Sequence, residues 1–142
     1  MADYRSENAA SLTRLFALLD GLNTSKLAHP LPNGWTVADA LVHLAFWDAY
    51  SLDLLHGWQK GDLPQKSANI DATNAAVLSL SRHLPLNAIA PLVRNNATAV
   101  DQTVEHLNPV LAATIDASEF RFLLFRSWHR EAHLKTLESE LR

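Results

Sequence analysis

Apolar residues recur every three or four positions along most of the chain, which is the pattern of amphipathic α-helices. The first such run extends from Asp3 to about Asn23, and Asp3 is suited to cap the start of a helix. Its apolar side is formed mainly by leucines, at Leu12, Leu15, Leu18, Leu19 and Leu22. Residues 25–34 contain two prolines and a glycine, so we expect a loop there.

A second helix is predicted from Thr36 to about Trp58. Thr36 and Asp39 fit a capping box, in which each side chain pairs with a free backbone amide of the first turn. Apolar residues lie on nearly every side of this helix, as expected for an element that is buried in a bundle and also contacts a second subunit. We therefore expect a homodimer that uses this helix.

Two more helices are predicted in the middle of the chain, after a connection that reaches about Ala68. The first covers residues 71–83 with Asp71 as its N-cap, and Pro85 ends it. The second starts with Asn87 as its cap and ends at residues 108–109, an Asn-Pro pair. Pro91 then falls at the fourth helical position, where a missing N–H removes no hydrogen bond.

The last helix is predicted from Ser118 to about Leu141, with Asp116 and Glu119 forming its N-terminal box. No segment alternates in the way of a β-strand. The chain has 142 residues, enough for one domain with a substantial core. The prediction is a single all-α domain, residues 1–142, built as a four-helix bundle.

Composition narrows the possible functions. The chain has no cysteine, which excludes disulfides and thiolate metal sites and makes the cytoplasm the expected compartment. The net charge is −3, and no Lys or Arg lies between Lys26 and Lys60, so we expect no nucleic acid partner. Polar residues interrupt the most apolar stretch, and no membrane partner is expected.

His129 and His133 are four residues apart in the last predicted helix. Residues at this spacing lie on one side of a helix, one turn apart, and two such imidazoles can share a divalent ion. The same spacing also occurs in solvated or packed histidine pairs. A metal site needs a third ligand from another helix.

His43 is the candidate for that third ligand. It lies within the apolar second helix, where an imidazole must have partners for its nitrogen atoms. One possibility is a core histidine that bonds to a backbone carbonyl or an Asp, and the other is a metal ligand. The residues alone leave both open.

Two motifs resemble those of the DinB/YfiT-like family. Residues 34–48, GWTVADALVHLAFWD, are similar to the start of its second helix, in which a tryptophan-led capping turn precedes a histidine in an HLAxW run. Residues 128–138, WHREAHLKTLE, are similar to its closing HxxxHL helix. The two motifs have the expected order and separation, and the resemblance spans essentially the whole chain. Similar proteins include those of the ClbS/DfsB kind and the N-terminal domain of mycothiol-dependent maleylpyruvate isomerase.

The resemblance implies an up-down-down-up bundle, often dimeric, in which His43, His129 and His133 bind a divalent metal of the Zn, Ni or Fe class. It also implies that Asn74 faces a pocket. Family activities include thiol-dependent transfer, in which a low-molecular-weight thiol is a cofactor, and hydrolysis.

Helix geometry adds two candidates for a substrate pocket. Trp47 lies one turn after His43, where it forms either a pocket wall or part of the core. Arg126 lies close to the line of His133, where it either holds an anionic group of a small-molecule substrate or lies on the surface. Three imidazoles leave coordination positions open for a water or a thiol. We therefore expect a metal-dependent thiol S-transferase or small-molecule hydrolase, or alternatively a non-catalytic, dimeric protein that sequesters a small molecule.

Overall fold

The computed structural model describes residues 3–65 and 69–142, and every regular element in these ranges is helical. The elements are α1 (Tyr4–Asp20), α2 (Thr24–Leu27), α3 (Val37–Gln59), α4 (Ile70–Ser81), α5 (Leu86–Glu105), α6 (Pro109–Asp116), a 3₁₀ turn (Arg121–Leu123) and α7 (Arg126–Glu140). An isolated antiparallel bridge between Pro30 and Thr36 is the one β-type pairing in the described ranges. The all-α prediction is confirmed.

The first two predicted helices begin where the sequence indicated. Asp3 accepts a hydrogen bond from the backbone N–H of Arg5 and caps α1. Thr36 and Asp39 form the predicted capping box of α3, since each side chain accepts from the backbone N–H of the other residue. The capped turn fixes the start of α3, and with it the position of His43 along the helix.

Two predictions about the segments on either side of α3 are wrong, and a third is only partly covered by the described residues. The segment predicted as a loop, residues 25–34, includes the last three residues of α2, a four-residue helix that Asn23 caps. Helix α4 is capped by Asn69, whose side chain accepts from an amide of the first turn, and Asp71 lies inside the helix. The connection before α4 includes residues 66–68, so the prediction that it reaches Ala68 lies partly outside the described residues.

Helix α5 begins one residue after Pro85, not after a cap at Asn87. Pro91 is therefore inside the helix, at its sixth residue, where an amide would normally donate to the carbonyl of Asn87. The expectation that Pro91 removes no hydrogen bond is wrong.

The range predicted as the last helix contains two elements, the 3₁₀ turn and α7, and a further helix, α6, precedes it. Helix α6 begins at the Asn-Pro pair, because Asn108 caps it and Pro109 is its first residue. Asp116 ends α6 and bonds to Arg121, so it does not cap a helix at Ser118. Helix α7 begins at Arg126, eight residues later than predicted.

Two clusters of buried apolar side chains hold these elements together. The larger joins α1, α3, α5 and α7 through residues such as Leu15, Leu41, Val93 and Leu134. The smaller fills the space between the ends of α3 and α5, helix α6 and residues 120–125. This second cluster fixes the irregular segment that leads into α7.

No helix in the described part of the chain is both long and apolar enough to cross a membrane.

Candidate metal centre

Three histidine side chains from two helices converge on one point. His43 lies in α3 and is 7% exposed, whereas His129 and His133 lie one turn apart on α7 and are half-buried. Each ring is about 5 Å from the other two, with centroid separations of 4.9, 4.9 and 5.0 Å. The structure therefore brings together the three residues that the sequence proposed as ligands.

The nitrogen atoms are close enough to share one ion. The Nε2 atoms of His43 and His129 are 3.0 Å apart, and one nitrogen from each of the three residues lies within 4.8 Å of the others. Two nitrogen atoms bound at about 2.1 Å to one tetrahedral ion are about 3.4 Å apart. Ring movements on the order of an ångström therefore suffice to place the three donors around an ion.

The surroundings keep the imidazoles neutral. Burial lowers the pKa of His43 to about 4, and His133 adds to the effect. Burial also lowers the pKa of His129 to about 2, with a further contribution from the positive charge of Arg126. The pKa of His133 is lowered by burial. Neutral imidazole is the form that binds a metal, so protons compete weakly for this site.

Two tryptophan rings enclose His43. The centroid of the Trp35 ring is 5.1 Å from that of His43, and the Trp47 centroid is 6.5 Å away on the next turn of α3. The Nδ1 atom of His43 is buried and has no hydrogen-bond partner among the described residues. The core alternative, a histidine bonded to a backbone carbonyl or an Asp, is thus not what the structure contains. The only hydrogen bond of this imidazole in the described ranges is to His129.

A cavity of about 680 Å³ opens beside the histidines and includes His43 and His129 in its wall. All three residues predicted for a substrate pocket, Trp47, Asn74 and Arg126, also line it. Trp47 donates from Nε1 to the side-chain oxygen of Asn74 at 2.8 Å, so the two residues hold each other in place. Trp47 is therefore a wall of the cavity.

Arg126 belongs to a buried charge network. Its Nε donates to Asp48 at 3.0 Å, and both side chains are less than 5% exposed. Arg130, which is fully buried, forms two hydrogen bonds to Asp101 at 2.6 and 2.8 Å and approaches the second oxygen of Asp48 at 3.5 Å. The two positive and two negative charges link α3, α5 and α7, and both arginines are close enough to His129 to lower its pKa.

Helix α7 lacks a side-chain cap of its own, and α1 supplies the missing contact. Asn8 is 3% exposed, accepts from the backbone N–H of Ser127 at 2.9 Å and donates to the carbonyl of Leu124 at 2.7 Å. Both backbone groups belong to the turn that starts α7. Asn8 thereby fixes the first turn of α7 at Ser127, two residues before His129.

Part of the site was not predicted from the sequence. Asp48, Asp101 and Arg130 had no predicted role, although Asp48 interrupts the apolar stripe of the second helix and a buried acid there needs a partner. Four aromatic residues of the cavity wall were also not predicted, namely Phe120, Phe122, Phe125 and Trp128. Phe120, Phe122 and Phe125 precede α7, and a continuous helix would not have turned them toward one cavity.

Other charged and histidine residues lie away from the centre. Glu131 pairs with Arg14 of α1. His29 approaches Glu140 at 3.3 Å, and His106 donates from Nδ1 to the carbonyl of Gln102 at the end of α5. None of these residues lines the cavity.

Comparison with known proteins gives no match, since no family model, curated protein or solved structure is similar enough to the chain. The proposed function therefore rests on the geometry of the site.

Proposed function

We propose that this chain is a divalent-metal-binding protein of the DinB/YfiT-like kind, in which His43, His129 and His133 hold one ion of the Zn, Ni or Fe class. The observation that carries the proposal is the convergence of one nitrogen from each of these imidazoles within 4.8 Å, beside a cavity whose wall includes His43 and His129. Two histidines of one helix and one of another also match the ligand set that the motif resemblance implies.

The leading activity is that of a metal-dependent thiol S-transferase or small-molecule hydrolase. A bound ion would supply Lewis-acid activation of a water or a low-molecular-weight thiol. The neutral imidazoles add no charge of their own, so the site favours an anionic fourth ligand. The aromatic side chains of the cavity would bind an apolar part of the substrate and exclude water from it.

The second candidate is a protein that binds and sequesters a small molecule without changing it. The size and aromatic lining of the cavity support this function, because pockets of about 300–1,000 Å³ with apolar walls are typical of small-molecule sites. This candidate retains the same fold and the same histidines.

The finer architecture is part of the proposal. We propose that α1, α3, α5 and α7 form an up-down-down-up four-helix bundle and that two chains associate through α3. The half-exposed ring cluster of Phe46, Trp47 and Tyr50 on α3 supports such a contact. The lack of cysteine supports a reducing compartment such as the cytoplasm. Sedimentation analysis tests the dimer.

Metal analysis of the purified protein tests the central proposal. The wild type, dialysed against Zn²⁺, Ni²⁺ or Co²⁺ and then desalted, is expected to retain one ion per chain. His43→Ala and His133→Ala are expected to lower the affinity for the metal ion by more than about 100-fold. Loss of a residue that only supports a metal ligand typically costs about 10–100-fold, and loss of the ligand itself should cost more. His106→Ala is the matched control, since this exposed histidine lies outside the site.

Circular dichroism of each variant separates loss of metal from loss of fold. Two variants are used because His43 is buried whereas His133 is half-buried and more tolerant of change. Retention of the ion in both ligand variants, or its absence from the folded wild type, contradicts the proposal. Activity screens of the loaded protein, with and without low-molecular-weight thiols, then distinguish transferase, hydrolase and sequestering protein.

A further inference from the structure

The guanidinium of Arg126 has one donor that is unpaired within the described part of the chain, and the residue lines the cavity. Arg126 is the first residue of α7, is 4% exposed and forms part of the cavity wall. Its Nε donates to Asp48, and Nη1 makes a long contact of 3.5 Å with the carbonyl of Phe122. Nη2 is buried and has no acceptor among the described residues. An unpaired buried donor costs free energy, and this cost is largest for charged groups.

The acids of the charge network do not supply the missing acceptor. One oxygen of Asp48 accepts from Arg126, and the other faces Arg130 at 3.5 Å. Asp101 is bound through both oxygens by Arg130. Asp48 therefore contacts both guanidinium groups, and among the described residues only the Nε side of Arg126 has a carboxylate partner.

The unused edge of Arg126 suits a carboxylate. Nε faces Asp48, which leaves the edge between Nη1 and Nη2, and two oxygens of one carboxylate match this edge in a bidentate pair. The nearest second cation of the network, Arg130, is already bound by Asp101. One guanidinium edge fits a singly charged acid better than a phosphate group.

The rest of the cavity suits a flat apolar group. The rings of Trp47, Phe122, Phe125 and Trp128 contribute to its wall. Phe125 and Trp128 are stacked, with centroids 4.4 Å apart and planes 12° apart. Aromatic walls of this kind bind other rings by stacking and edge contacts. His129 lies on α7 one turn after Arg126, so an acid bound at Arg126 lies beside the histidines.

We propose that the cavity binds a small aromatic or similarly flat carboxylic acid, with its carboxylate on Arg126 and its apolar body against the aromatic wall. The inference deepens the proposed function, on which it rests for the claim that this acid is the substrate or cargo of the histidine site. Recognition of the acid itself needs no metal.

Two probes of equal shape test the inference in chelator-treated, metal-free protein. Isothermal titration compares 2-naphthoate, which carries a carboxylate, with 2-naphthamide, its neutral analogue. The wild type is expected to bind naphthoate at least about tenfold more tightly, because a hydrogen bond between charged groups adds affinity that a neutral amide lacks.

Two variants are compared. One is the double variant Arg126→Gln/Asp48→Asn, and the other is the control Arg121→Gln. The double variant removes the guanidinium without leaving the buried Asp48 charge unpaired. Arg121 lies over the same rim, 5.0 Å from the Phe125 ring centroid and 5.5 Å from that of Trp128, and pairs with Asp116 on the surface. The preference for naphthoate should disappear in the double variant and persist in the Arg121 variant.

Equal affinities of the wild type for the two probes, or no binding of either at its solubility limit, would overturn the inference and leave Arg126 as a partner of Asp48 only. Persistence of the preference in the folded double variant, or its loss in Arg121→Gln, would overturn it as well. The result is separate from the metal test. A naphthoate preference without metal binding refutes the proposed function alone, and metal binding without the preference refutes this inference alone.

Discussion

Replacing Arg130 with methionine is expected to destabilise the protein by about 3–5 kcal/mol. Arg130 is fully buried and binds Asp101 at 2.6 and 2.8 Å, and Asp48 lies 3.5 Å away. Methionine retains most of the apolar stem but removes the positive charge. Asp101 and Asp48, which are 13% and 3% exposed, then lose a cation that offsets their buried negative charges. Domains are typically stable by about 5–15 kcal/mol, so the loss is a large fraction of the total.

The cost in this variant should depend on pH. Burial raises the pKa of Asp101, and the hydrogen bonds from Arg130 partly offset the rise. Without Arg130 the pKa rises further, so the folded variant binds a proton at Asp101 at a pH where the unfolded chain does not. A state that binds more protons gains stability as pH falls. The destabilisation should therefore be larger at pH 8 than at pH 5.

Urea unfolding followed by circular dichroism measures both effects. Arg121→Met is the control, because Arg121 pairs with Asp116 at 3.0 Å with both side chains nearly half exposed, and exposed pairs contribute at most about 1 kcal/mol. A loss in Arg130→Met no larger than in this control would refute the reasoning. A cost that is unchanged between pH 8 and pH 5 would show that Asp101 does not take up the proton.

Two further predictions concern the start of α7 and the protonation of the site. Asn8→Ala should lower the free energy of unfolding by about 2–4 kcal/mol, measured in urea, because it leaves the buried backbone groups of Leu124 and Ser127 unpaired. Asn23→Ala, which removes an exposed helix cap, is the control and should lower it by about 1 kcal/mol. Equal losses in the two variants would contradict the role of Asn8. The metal-free protein should lose stability as pH falls from 6.5 toward 4, because the pKa of His43 is lowered to about 4 when folded and the unfolded chain binds the proton first. His43→Asn should show a shallower dependence in urea unfolding, and an unchanged slope would argue against this assignment.

The starts of α1 and α3 were predictable from local sequence. The capping box of Thr36 and Asp39 and the cap of Asp3 act between residues close in the chain, so their positions follow from spacing alone. The pairing of His129 with His133 also follows from one helix turn. The approach of His43 to these two residues depends on how α3 packs against α7. From the sequence, this approach was implied only by the family resemblance.

Elements that depend on long-range packing were harder to predict. No glycine or proline lies between residues 118 and 126, and Phe120, Leu123 and Leu124 have helix-like spacing. They are buried in the second apolar cluster instead of continuing α7 toward its N-terminus. The pairing of Arg130 with Asp101 crosses between α5 and α7. Nothing in the sequence near Arg130 or near Asp101 indicates that these two residues pair.

The contact of Asn8 with the start of α7 makes the centre sensitive to events in a distant part of the sequence. Fraying of α1 would withdraw that amide side chain and release the backbone of the turn two residues before His129. The distances between the three nitrogen donors would then vary even though no donor had been altered. A substitution in the first helix can thus weaken metal binding indirectly, without changing any of the three ligands.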